Sequence, residues 1–169
     1  MNNVGPVSWR AMSAADLPAV SELADAIHVD YPEEAEVFAE KFTLYPAGCF
    51  IFDHAGTALG YFISHPWLRK NPPPLNRKLG ALPAQPDIFY LHDLALAPAA
   101  RGHGAAGHII REAEKLAVKA HYHRMALVAV GDADTFWLRQ GFEPEMDEEM
   151  QRKLANYGES AIYMEKALA

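Results

Sequence analysis

A single cysteine, Cys49, is all the thiol that the 169 residues contain. No intramolecular disulfide can form, and a reducing, cytoplasmic compartment is the expected setting. Basic residues are in the minority too: 15 Lys and Arg stand against 22 Asp and Glu, a formal net charge of −7. That is the wrong sign for a nucleic-acid partner, whose binding rests on clustered cations meeting phosphates. No apolar run approaches the ~20 residues that span a bilayer, so no membrane partner is expected. The first ten residues, MNNVGPVSWR, show no basic stretch ahead of an apolar core, the mark of a secretory signal. Glycine and proline number 11 and 12, too few for a disordered or collagen-like chain. What remains is half apolar, 22% charged, and of a length that suits one domain over 1–169.

The apolar residues alternate between strand and helix spacing, which favours a layered α/β or α+β fold. Residues 7–12 read as a strand. Ser13 and Asp16 form a capping-box-like start for a helix reaching His28, with Leu17, Val20, Leu23, Ala24 and Ile27 as its buried stripe. Pro32 then introduces a helix over 33–44, with Glu33, Glu34 and Glu36 at the positive end of its dipole. Strands 48–53 and 58–64 flank the turn HAGT as a hairpin, and Cys49 inside it is expected to be a core thiol.

Residues 65–87 carry six prolines and break the pattern, either as a surface connection or as a loop that faces substrate. The stretch 88–97 is apolar except for His92 and Asp93, which suits a central strand covered on both faces. A helix over 101–121 places Ile109, Ala113, Leu116, Ala117 and Ala120 on its core side. A strand over 124–130, a short helix over 133–140 and a strand over 161–168 complete the reading. Residues 143–160 show no clear pattern.

The junction between the apolar strand and the long helix is Arg101-Gly102-His103-Gly104-Ala105-Ala106-Gly107. A helix's first turn has N–H groups without intrahelical partners, and its dipole is positive there. Glycine and alanine at 102 and 104–107 let a diphosphate approach those groups. The same glycines spell G-x-G-x-x-G, a pattern of dinucleotide-binding folds. Against a nicotinamide cofactor stand the short remainder of the chain and the lack of a carboxylate near Tyr122 and His123, where one would bind the ribose.

With the entering strand Leu94-Ala95-Leu96-Ala97-Pro98, this loop resembles the acyl-CoA signature of the GNAT superfamily of N-acetyltransferases. Phe136-Trp137-Leu138-Arg139-Gln140-Gly141-Phe142 is similar to the family's second motif. The resemblance runs through nearly the whole element order. It implies a mixed, mostly antiparallel sheet flanked by helices, splayed between the strands near 90–97 and 124–130. It further implies acetyl-CoA as co-substrate, its pantetheine arm against the backbone of Leu94, Ala95 and Leu96 and its diphosphate on residues 101–107, Arg101 and His103 included. Phe136 and Trp137 would adjoin the cofactor.

The family moves an acetyl group directly from the thioester to an amine. An alkylamine is only ~1 part in 2,500 neutral at pH 7, so a base is useful, and His92 or Asp93 stands where relatives keep one. Strand alternation sends these two to opposite faces unless a bulge intervenes. Two departures from the family stand out. Trp137 replaces a Tyr that protonates the leaving thiolate in many relatives, with Tyr157 and Tyr163 as candidate substitutes. Val130, with Asp132 nearby, falls where an Asn often meets the cofactor. The eight histidines include no metal-ligand spacing, so no metal is expected. The acidic groups at 33–40 and 147–149 read as solvated faces or as attractors of a cationic amine. The expected activity is acetyl transfer to a small-molecule or peptide amine, with a homodimer left open. The rival is an acyl-CoA-binding module without turnover.

Overall fold

The computed structural model describes residues 7–102 and 104–168. In chain order the elements are β1 (Val7–Ala11), α1 (Leu17–Ile27), α2 (Ala35–Leu44), β2 (Cys49–His54), β3 (Thr57–Trp67) and β4 (Ile88–Leu96). They continue with α3 (Ala105–Lys119), β5 (Arg124–Ala129), α4 (Asp134–Arg139), β6 (Glu143–Pro144), α5 (Glu148–Lys153) and β7 (Ile162–Ala167). The strands form one mixed sheet in the order β1-β2-β3-β4-β5-β7-β6, and only the β4–β5 pair is parallel.

Apolar side chains cover both faces of the sheet. On one, Phe62, Phe89, Leu91, Met125 and Leu127 pack against Ile109, Ala113 and Ala117 of α3. On the other, Ile51, Tyr61 and Ile63 meet Val20 and Ala24 of α1 and Phe38 of α2. Strand β4 is therefore covered on both sides, as its near-continuous apolar sequence requires.

Several boundaries differ from the sequence reading, each for a physical reason. Strand β3 runs on through His65, Pro66 and Trp67, into the proline-rich stretch. Its partner β2 stops at the Cys49↔Ile63 pair, so Pro66 lies where β3 has lost one neighbour, a place strands tolerate proline. Helix α3 spans 105–119 rather than 101–121, because Gly102 and Gly104 take left-handed φ values of 83° and 69° ahead of it; Ala120 is exposed beyond its end. Helix α2 begins at Ala35, which leaves Glu33 and Glu34 outside the first turn. The unassigned 143–160 contains β6 and α5, whose amino end is capped by Asp147 accepting from Met150 N–H at 2.7 Å.

Candidate active site

Strands β4 and β5 pair only at Phe89↔Met125 and Tyr90↔Ala126. Beyond that point they part, and the carboxyl half of β4 has β3 on one side and an open edge on the other. A cavity of about 120 Å³ occupies the gap, lined among others by Leu94, His92, Asp93, Val130, Trp137 and Tyr157.

At the end of this gap α3 begins. Gly104 is its N-cap, and the first intrahelical bond runs from His108 N–H to Gly104 C=O at 3.0 Å. The N–H groups of the preceding turn are left for another acceptor. A groove of about 360 Å³ lies over them, bounded by Leu96, Arg101, Gly102, Gly104–Gly107 and Phe136. Among the described residues nothing lies within 4 Å of the Cβ position at Gly102 or Gly104. The arrangement fits an anionic diphosphate. Leu94 and Leu96 border the two hollows, whereas Ala95 is packed with Tyr61 and Ile63 in the opposite core and pairs with Tyr61 of β3, so it lines neither hollow and is not brought to the expected role. His103 lies outside the described residues.

The β3–β4 register shifts at one point: Ile63 pairs with Asp93, Ser64 pairs with Leu91, and His92 is left as the extra residue. That bulge overrides alternation. Leu91 and Leu94 both join the α3-side core, while the intervening His92 and Asp93 both face the side of α1 and α2 and both line the cavity.

Their surroundings differ. Asp93 has a neighbour on each oxygen: Oδ2 accepts from the Tyr61 hydroxyl at 2.5 Å, and Oδ1 lies 2.9 Å from His28 Nε2, an ion contact without hydrogen-bond geometry. Burial opposes charge on His28, but Asp93 outweighs it and raises His28 above its ordinary value. His92 has a side chain only 2% exposed, and its Nε2 lies 2.8 Å from Glu33 Oε1. Its Nδ1 is buried and has no hydrogen-bond partner among the described residues. Burial works against the Glu33 carboxylate, yet the charge and hydrogen bond of His92, the charge of Lys41 and the Asn76 N–H hold its pKa at about 2.

Glu33 is the site residue that the sequence reading missed. It read as one of several acids at a helix start, and no spacing marks it as His92's partner, which stands 59 positions away. Of the acids at 33–40, Glu34 and Glu36 are exposed as a solvated face would be, and Glu33 and Glu40 are not. Glu33 is turned inward, and Glu40 accepts the N–H groups of Leu79 and Gly80. Cys49 is buried in the core as expected, its thiol pushed up to about 12 by burial, which removes it as a nucleophile.

Of the two tyrosines considered as proton donors, Tyr157 reaches the cavity wall, its hydroxyl donating to Pro73 C=O at 2.8 Å. Tyr163 does not; its hydroxyl donates to Glu165 away from the gap. Phe136 borders the helix-start groove and Trp137 the cavity, and Trp137 packs edge-on against Phe142 with ring centres 5.4 Å apart. Val130 lines the cavity and Asp132 is exposed. Among the described residues no group of three His, Cys, Asp or Glu could hold a metal ion, and no helix is long and apolar enough to cross a membrane.

No curated protein matches this chain in sequence. Solved structures do match in shape. A GNAT-like decarboxylase, GphF, in complex with isobutyryl-CoA superposes with a TM-score of 0.79 at 15% identity, over 96% of this chain and 100% of that one. Ard1 from Thermoplasma volcanium gives 0.72 at 13% identity, covering 96% and 98%. The PaiA N-acetyltransferase from Thermoplasma acidophilum, in complex with coenzyme A, gives 0.67 at 16% identity, covering 96% and 99%. These likenesses establish the fold. A model of the acetyltransferase (GNAT) family matches residues 17–142, and with most of the protein inside that match the chain belongs to this family.

Proposed function

We propose that this protein transfers an acetyl group from acetyl-CoA directly to the primary amine of a small molecule or peptide, and that His92 takes the amine proton. The observation that carries the reading is the β4 bulge, which turns His92 into the gap beside an open strand edge and a helix start free to bind phosphate. The coenzyme A held by the PaiA N-acetyltransferase of the same fold supports acetyl-CoA as the donor.

The two candidate bases separate on their contacts. Both Asp93 oxygens are engaged, so Asp93 holds Tyr61 and His28 in place. Glu33, an ionised acceptor, requires the proton of neutral His92 on Nε2, which leaves a lone pair on Nδ1. An alkylammonium must lose a proton before attack, a cost of about 4.6 kcal/mol at pH 7 for a pKa near 10.4. The neutral nitrogen then adds to the thioester carbonyl and the new N–C bond forms; the adduct nitrogen gives its second proton to water, the C–S bond breaks, and coenzyme A leaves as a thiolate. A thiol pKa of about 8.5 makes thiolate a tolerable leaving group without an acid. Trp137, which has no acidic proton to give, is then no obstacle.

Thiol release from acetyl-CoA with a panel of amines tests the reading. Turnover with at least one amine, reduced roughly 10²–10⁴-fold in His92→Ala while coenzyme A affinity holds, is the expected result. Binding without thiol release for any amine would make the chain an acyl-CoA-binding module. Carbon dioxide released from a carboxylated acyl-CoA would instead make it a decarboxylase, the activity named for GphF.

A further inference from the structure

The proline-rich stretch after β3 is a strap. Residues 68–87 leave β3 and return to β4, tied at each step to the elements around the cavity. The Tyr157 hydroxyl donates to Pro73 C=O at 2.8 Å, and Asn156 Nδ2 donates to Leu75 C=O at 3.2 Å. Buried Lys41 donates to Arg77 C=O at 3.2 Å, and Glu40 takes the N–H groups of Leu79 and Gly80. Between these ties Leu75 forms part of the cavity wall.

The tie nearest the site passes through Glu33. Its Oε2 accepts the Asn76 N–H at 3.0 Å, and its Oε1 lies 2.8 Å from His92 Nε2. Asn76 answers by accepting the Glu34 N–H on Oδ1 at 2.8 Å, from a left-handed backbone with φ of 57° that asparagine tolerates well. The Glu33 carboxylate is 5% exposed, so water is a poor substitute for either partner.

We propose that Glu33 is a positioning residue that links the strap to His92, holding the strap with one oxygen and the tautomer of the imidazole with the other. The inference rests on the reading of His92 as the base. Two N–H donors converge on one side chain, and only a group with two acceptor oxygens satisfies both. The isosteric amide cannot. If its oxygen keeps Asn76, its NH₂ faces His92 and drives the imidazole proton onto Nδ1, which removes the lone pair that would take the amine proton. If its oxygen keeps His92, two N–H groups collide at Asn76 and the strap is released.

The test uses Glu33→Gln, with nitrogen NMR of the histidine rings and hydrogen exchange of the strap amides on the free protein, and steady-state kinetics beside them. In the wild type, neutral His92 carries its proton on Nε2. In Glu33→Gln the expected result is either a proton moved to Nδ1 or tenfold faster exchange at 75–80. In both cases kcat falls at least tenfold, and towards ~10⁴-fold where the tautomer is fully reversed, with KM for acetyl-CoA within about twofold. Asn76→Gly serves where the glutamine variant fails to fold. It keeps the N–H and the left-handed backbone, removes only the Glu34 tie, and is expected to speed strap exchange and lower kcat several-fold.

Unchanged tautomer, strap exchange and kcat in Glu33→Gln, with turnover lost in His92→Ala, would overturn the positioning role and leave the base in place. Wild-type turnover in His92→Ala would overturn the base itself, and the NMR and exchange results would still decide whether Glu33 joins strap to imidazole.

Discussion

Replacing Gly104 by glutamate sets a carboxylate over the helix start that is proposed to hold the diphosphate. Gly104 is the N-cap of α3 with φ of 69°, and an added Cβ meets nothing within 4 Å among the described residues. Any side chain there therefore has room but sits in a strained backbone, at a cost of about 1–2 kcal/mol. Gly104→Ala carries that strain alone and is the control. For a domain of this size such a loss lowers Tm by roughly 2–8 °C. Glutamate adds charge repulsion. Two like unit charges about 4–6 Å apart at an effective dielectric near 20 repel by about 3–4 kcal/mol, equivalent to roughly 10²–10³ in affinity. Calorimetric titration of coenzyme A, with thermal melts of the same samples, reads both terms. Gly104→Ala should bind coenzyme A nearly as well as the wild type, and Gly104→Glu at least ~100-fold more weakly at a similar Tm. Equal affinity of the two variants would refute the placement of the diphosphate on this helix.

Phe142 is fully buried beneath Trp137, and Phe142→Ala should cost about 3–5 kcal/mol in urea unfolding, because the second family motif ends in core rather than in the site. Trp137→Tyr restores a phenol at the cavity wall; kcat is expected to stay within about threefold of wild type, since a thiolate of pKa near 8.5 leaves without help. A rise beyond tenfold would show that protonation of the leaving group limits the rate. Glu33 titrates at about 2 in the fold against an ordinary 4.5, so its ionised form stabilises the protein above pH ~4.5, and that contribution disappears as pH falls towards 2. Glu33→Gln should lack this component, an upper bound of about 3 kcal/mol. Its stability should vary less than the wild type's between pH 5 and 2, and parallel curves would refute the assignment.

Local sequence was enough for whatever depends on neighbours in the chain. The apolar period set most helices and strands, and Ser13 and Asp16 started the first helical turn, whereas α3 begins at Ala105 rather than at 101 because Gly102 and Gly104 take left-handed backbone. The expectation of an anion at the start of α3 rests on the same kind of local pattern, small residues before a helix's free N–H groups. The tertiary structure decided the rest. Alternation assigned His92 and Asp93 to opposite faces, and only the register of β3 against β4 created the bulge that puts them on one. The six prolines excluded regular structure over most of 65–87 but could not show that the segment straps the cavity, because its hold comes from Glu33, Glu40, Lys41 and Tyr157 on distant elements. Glu33 carried no local mark as a partner of His92. A carboxylate at a helix entrance satisfies the dipole in any protein, and it becomes a ligand of an imidazole 59 residues away only when folding removes water from both.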